Sequence, residues 1–384
     1  MAGSSSTNSS LVELGSVVHS TIALVTELET VIGTITARGQ AEKPAGETTL
    51  DALSLAHDSA SLIKAHATKI SLLIINEPFT PTAITKVLRE LIAGPLPALA
   101  SAAEACDANR YTQAVRRDLS WRCGRVLKEY KELVQRIPSD GKILSDAKKN
   151  GSRGVAAEKG SIPVTGLLWA ACDEVIALSK LGVAGYFIQK VKQFRDMVKD
   201  TMEELKEWGE EEDEDEEEGE TDTHGDEPGD IEQVTDSLEA THISDTQAML
   251  DEFMGSQRPI PRDDPDRIRE KLDIGLRRLR LITLFYQAII KRRLQTLPPL
   301  PPPSASDVPS KLDEAITFLG AIPERFESLA VAFYELEPGD IDAEMDECFS
   351  NAFSAAELLR RSWTGENDGF TDWVLNFQLE MKKA

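Results

Sequence analysis

Between Leu53 and Ile74 the apolar residues Leu53, Ala56, Ala60, Ile63, Ala67, Ile70 and Ile74 follow one another at steps of three and four without a miss. That spacing lines up one face of an α-helix and cannot line up one face of a strand, whose side chains repeat every two residues. The alanines among them let a neighbouring helix approach closely. The same spacing recurs at Leu14, Val18, Val25, Leu28, Ile32 and Ile35, and again at Val115, Leu119, Val126, Tyr130, Leu133 and Ile137. Beyond residue 264 it returns at Ile268, Leu272, Leu276, Leu279, Ile282, Tyr286 and Ile289, then at Leu312, Ile316, Leu319, Ile322, Phe326, Leu329, Phe333 and Leu336. No alternating segment and no internal repeat interrupts the series. The chain is therefore expected to be all-α, a multi-helix up-and-down bundle.

Breakers set the expected helix ends. Pro78 stops the second helix, and Thr80 with Pro81 reads as an N-cap followed by a first-turn proline. Gly94-Pro95-Leu96-Pro97 must bend or break the third, and Pro138 ends the fourth. Residues 139–160, rich in Gly, Ser, Lys and Asp, read as a mobile loop. A helix from Pro163 to Trp208 is expected to bend near Gly182 and Gly185. Asp264-Pro265 opens a long helix, Leu297–Pro303 stops it, and Ser310 opens the next, with a kink at Pro323. Two last segments, 341–363 and 370–381, complete the helical series.

One segment cannot be packed. From Glu210 to Glu220 every residue but Gly219 is acidic. Carboxylates at that density repel one another and have nothing apolar to bury, so they cannot offset the entropy of ordering. The expected organisation is a disordered N-terminus at 1–10, an N-terminal helical bundle at 11–209, an acidic disordered linker at 210–243 and a C-terminal helical domain at 244–384. Of the formal net charge of −24, fourteen acids lie between Glu210 and Asp230, leaving −10 for the rest. A field of that sign repels phosphate backbones, so no direct nucleic-acid partner is expected.

Cys106, Cys123, Cys172 and Cys348 are far apart and sit in apolar helical stretches, as reduced core residues do. The Ser-rich start lacks a signal pattern, and no uninterrupted apolar run approaches 18 residues, so a soluble protein without a membrane partner is expected. Walker, GxGxxG, GxSxG and HExxH patterns are absent. Among the histidines 19, 57, 66, 224 and 242, only His57 and His66 share a helix, about 13 Å apart by helical rise and too far to hold one metal. Glu203 and Glu204 read as a solvated face. The expectation is no enzyme, no catalytic residue, no metal and no cofactor.

Three features point instead to binding. The helix after Asp264 carries Arg267, Arg269, Lys271, Arg277, Arg278, Arg280, Lys291, Arg292 and Arg293, either a nucleic-acid stripe or the solvated, acid-paired side of an amphipathic helix. Residues 298–303 satisfy PxxP twice but lack a basic orienting residue, which favours a stiff spacer over an SH3 ligand. Ser244 and Gln247 are spaced as a capping box for a short helix bearing Leu250, Phe253 and Met254, residues placed to dock on a partner or back on their own bundle.

Several segments are similar to a known family. Gly166-Leu-Leu-Trp169-Ala-Ala-Cys172, then Val198-Lys199-Asp200 and Glu203-Glu204 ahead of the acidic run, carry the strongest likeness. Lys69 to Ile74 with Pro78 adds to it, as does Ile322-Pro323 through Glu327-Ser328-Leu329-Ala330 to Tyr334 and Pro338. In these the chain resembles the cyclin-D-binding family of Grap and cyclin-D interacting proteins, while departing from it in the 139–160 loop and the 297–303 proline tract. The resemblance implies a noncatalytic regulator of the cell cycle and transcription, in cytoplasm and nucleus. It further implies binding and restraint of protein partners, cyclins or helix-loop-helix regulators among them. Long bundles also build vinculin-like scaffolds of cytoskeletal or adhesion type, and this alternative stays open. The oligomeric state is not legible.

Overall fold

The structure, a computed structural model, describes residues 2–37, 50–151, 159–210, 259–302 and 306–383. Among them there are helices and no strands, as the periodicity requires. In chain order they are α1 (Ala2–Ala37), α2 (Ala52–Ile75), α3 (Pro81–Ala93), α4 (Pro95–Ala105), α5 (Ala108–Tyr111), α6 (Gln113–Gln135), α7 (Asp146–Asn150), α8 (Ser161–Glu210), α9 (Ile268–Ile289), α10 (Val308–Tyr334), α11 (Pro338–Leu359) and α12 (Gly369–Lys383). The acidic stretch beyond Glu210 and the short segment with Leu250, Phe253 and Met254 lie outside the described residues. Contacts group the chain into two compact units, Met1–Ile188 with Leu297–Glu314, and Gln189–Thr296 with Ala315–Ala384. This partition differs from the one drawn at the acidic run, because α8 and α10 each contribute to both units.

In the first unit α1 packs on α6, α3 and α4, while α2 packs on α4, α3 and α6. Val25, Ile63, Ile70, Leu88, Leu99, Leu119, Val126 and Leu133 are fully buried there, the stripes read from the sequence. Distant residues settle the helix ends. Asp51 caps α2 by accepting from the Leu53 and Ser54 amides at 3.1 and 3.4 Å, and Tyr111 Oη, which accepts from the Ala52 amide, donates to the same carboxylate at 3.2 Å. Thr112 and Asp313 together cap α6. The threonine hydroxyl accepts from Val115 N–H, and the carboxylate accepts from Gln113 and Ala114 at 2.6 and 2.9 Å. Burial pushes the Asp313 carboxyl up despite those two amides and Arg117.

Four local expectations change. Thr80 sits at the N-cap of α3 ahead of Pro81 as expected, but its side chain makes no capping bond, since its hydroxyl donates to the Pro78 carbonyl at 3.0 Å. The 139–160 stretch is not wholly a loop: α7 lies within it, and Leu144 is buried with its amide donating to Ile74 O at 2.9 Å. α1 starts ahead of Leu11, and α10 ahead of Ser310, at Val308. The bend in α8 falls at Gly182, whose φ of 62° and ψ of −176° suit glycine alone.

The second unit is held by aromatic and buried polar contacts. Trp208, at the end of α8, meets Tyr334 edge-on at 5.4 Å. Phe370, Trp373, Phe285 and Phe377 form a stacked series across α9 and α12. The α10 helix runs through Pro323, which has no N–H to offer the carbonyl of Leu319 four residues back. Tyr286 of α9 supplies the missing donor, its buried hydroxyl donating to Leu319 O at 2.8 Å. Tyr286→Phe is therefore expected to cost about 1–3 kcal/mol by stranding a buried carbonyl. Urea melts would show it, and an unchanged midpoint would mean the carbonyl has another donor.

Past α9 a π-helical turn, Ile290–Leu294, buries Arg293, which is 1% exposed. Its guanidinium donates to Leu359 O at 2.7 Å, Arg360 O at 2.7 Å, Arg292 O at 2.9 Å and both oxygens of Asp368 at 2.8 and 3.0 Å. It also lies 4.4 Å from the centre of the Phe370 ring. Arg293, helped by the Thr371 and Phe370 amides, holds the Asp368 carboxyl at about 2 against the cost of its burial. A carboxyl depressed below its unfolded value of about 3.9 stabilises the fold above that pH and loses its contribution as pH falls toward 2. Acid titration of the intact chain is expected to show a stability loss between about pH 4 and pH 2 that Asp368→Asn diminishes. Superimposable acid curves for the two proteins would refute the assignment.

Candidate functional site

Inward stripes on three helices decide what their outer faces carry. In α8, Val164, Leu168, Ala171, Cys172 and Val175 are buried, which turns Ile162 and Trp169, seven residues apart, outward at 45% and 38% exposure. In α2 the buried stripe leaves Leu62 and Leu72 outside. In α6, burial of Leu119, Ser120 and Cys123 leaves Trp121 54% exposed.

Polar contacts knit these faces together. Trp169 Nε1 donates to Thr68 Oγ1 at 3.1 Å, and one turn on, Asp173 accepts from Lys64 at 2.6 Å, so α8 is pinned to α2 twice. Glu174 ties α8 to α6: its carboxylate accepts from Arg125 at 2.6 Å and its carbonyl from Arg122 at 3.1 Å. Arg122 also grips Asp118 through two hydrogen bonds. Arg125 in turn lies 5.0 Å from the Trp121 ring centre. Beneath, Thr165 donates to Ser71 at 3.1 Å in a buried contact. Both indoles are thus exposed yet held in place, which lowers the entropy lost when a partner covers them.

This arrangement suits macromolecular contact. Trp and Arg at a well-ordered surface are the residue types that dominate binding energy at interfaces. The thiols offer no contrast, for burial pushes Cys106 and Cys172 up to about 12 and raises Cys123 and Cys348 as well. All four are free and buried. Among the described residues no group of three or more His, Cys, Asp or Glu side chains could hold a metal ion.

Of the basic residues after Asp264, several serve the fold. Arg267 pairs with Glu270, Lys271 with Asp342 at 2.5 Å, and Arg269 donates to the Ile260 and Gly209 carbonyls. Arg278 lies over Phe349 at 4.6 Å, and Arg293 is the buried centre described above. Asp264 accepts from the Ile268 and Arg269 amides at 2.6 and 2.9 Å and so caps α9. The sequence reading singled out Leu250, Phe253 and Met254, which lie outside the described residues, and passed over Trp121. An indole one residue past a buried stripe was the signal that could have found it. Two helices, at Asn8–Ile35 and Ser161–Glu210, are long and apolar enough to cross a membrane by length and composition, a test that core helices of soluble bundles also pass.

Comparison with known proteins covers the sequence of these helices. A family model described as Grap2 and cyclin-D-interacting, N-terminal, matches residues 56–211. An uncharacterized protein of Schizosaccharomyces pombe is 26% identical over 160 residues, which is 41% of this chain and 44% of that relative. No solved structure matches. The match ends where the acidic run begins, and it encloses Leu62, Lys64, Thr68, Leu72, Trp121, Arg125, Ile162, Trp169, Asp173 and Glu174. Over residues 56–211 the chain is similar to the Grap2 and cyclin-D-interacting family.

Proposed function

We propose that this chain is a noncatalytic regulatory protein that binds partner proteins through the α2–α6–α8 face and restrains them, acting in cell-cycle control and transcription regulation in cytoplasm and nucleus. The observation that carries the reading is the pair of exposed tryptophans, each in contact with a neighbouring polar side chain, inside the family-matching segment. The family's name points to D-type cyclins and Grap2 as the first partners to test, with helix-loop-helix regulators next. Isothermal titration of the intact chain with a purified D-type cyclin, and separately with Grap2, is expected to give saturable binding. Absence of heat with both, confirmed by a second method at high concentration, would sink these partners. Co-sedimentation with filaments would favour the scaffold alternative.

A further inference from the structure

The second unit carries a different surface. The last turns of α9 and the start of α12 enclose an open cleft of about 270 Å³. Its floor and walls are Leu284, Ala288, Phe370 and Trp373, and its rim is Gln287, Lys291 and Arg292. Leu284 is 51% exposed, and Trp373 is the half-buried member of the aromatic stack. The residue spacing places Arg277, Arg280, Leu284, Gln287 and Ala288 on one side of α9, and Lys291 continues that line over roughly 21 Å by helical rise.

The π-helical turn sets the chemistry of this rim. The Gln295 amide donates back to Ile290 O at 3.0 Å, and the widened turn buries Ile290, Arg293 and Leu294 together. Lys291 and Arg292 are left outside. Turns of this kind often mark functional positions in helices. Arg277, Arg280, Lys291 and Arg292 are exposed, and none forms an ion pair among the described residues. Four solvent-facing cations with no ion-pair partner among the described residues, in a chain of net charge −24, leave a basic strip beside an apolar cleft.

We propose that this cleft and strip bind an acidic amphipathic helix of a partner protein, its apolar side chains entering the cleft over Trp373 and Leu284 and its carboxylates meeting Lys291, Arg292, Arg280 and Arg277. Charge complementarity names the occupant. A basic helix would be repelled by the strip, and a nucleic-acid backbone would leave the apolar floor uncovered. The surface is independent of the α2–α6–α8 face and needs no cyclin.

The test uses the intact chain and a fluorescein-labelled synthetic helix of about 18 residues, with leucine and phenylalanine on one side and glutamates on the other. Fluorescence anisotropy is expected to show saturable binding that weakens with added salt. Lys291→Glu with Arg292→Glu, and separately the exposed Leu284→Glu, are each expected to raise Kd by about tenfold or more. Trp121→Ala is expected to leave this Kd unchanged, which separates the inference from the reading above. Retained binding in both cleft variants would overturn it, as would equal binding of a peptide with lysines in place of the glutamates. Tighter binding of a single-stranded oligonucleotide would reassign the strip to nucleic acid. A dimer broken by Lys291→Glu with Arg292→Glu, or displacement of the probe by a synthetic peptide of residues 244–255 at lower concentration than by the unlabelled helix, would replace the partner with a second copy or the chain's own segment.

Discussion

Arg293→Met is expected to destabilise the second unit by about 3–5 kcal/mol, the cost of leaving a buried charge pair and its hydrogen bonds unmade. Methionine fills much of the same volume, so the loss is mainly one of donors. Three carbonyls, those of Leu359, Arg360 and Arg292, and both Asp368 oxygens receive bonds of 2.7 to 3.0 Å from this one side chain. Two of those carbonyls close α11, where the last C=O groups have no helical partner and a cation is favoured. The backbone also depends on the residue's position, because Trp363 Nε1 donates to Arg293 O at 2.8 Å. Arg293→Lys is expected to recover little, because an ammonium cannot reproduce a planar five-donor fork. Urea unfolding followed by far-UV circular dichroism would measure both variants. A shift under about 0.5 kcal/mol, the level of an ordinary surface change, would show that the cage is incidental.

Trp121→Ala combined with Trp169→Ala is expected to weaken binding of a D-type cyclin by about 2–4 kcal/mol, or roughly 30- to 1000-fold in Kd. Trp169 is partly covered and hydrogen-bonded, so the melting temperature is expected to fall by a few degrees while the fold is kept. Trp169 loses one hydrogen bond, to Thr68, and Trp121 one contact with Arg125. The ion pairs of Asp173 and Glu174 to Lys64 and Arg125 remain to hold α8 against its neighbours. Surface calorimetry and thermal melts on the same samples separate loss of contact from loss of structure. Wild-type affinity in the double variant would remove the tryptophans from the interface.

The helices were legible because burial stripes are local. Ile63, Ile70 and Leu119 announce themselves by spacing, and each is fully buried. Breakers were legible for the same reason, at Pro95 and Gly182 above all. What could not be read depends on residues far apart in the chain. Asp313 caps α6 from some two hundred positions away, and Tyr286 repairs the gap left by Pro323 from another helix. Arg293 looked like its neighbours Lys291 and Arg292, three cations in a row, yet a π-helical turn buries one and exposes two. The candidate faces share that limit. Trp169 stood out through family likeness alone, whereas Trp121 gained meaning only when Arg125 and Glu174 joined it to α8.

Hydrogen–deuterium exchange on the intact chain, with and without a saturating D-type cyclin, tests the central claim most directly. Slowed exchange is expected in segments 62–72, 121–125 and 162–174. Tight binding with protection confined to other segments, or no protection at all, would contradict it.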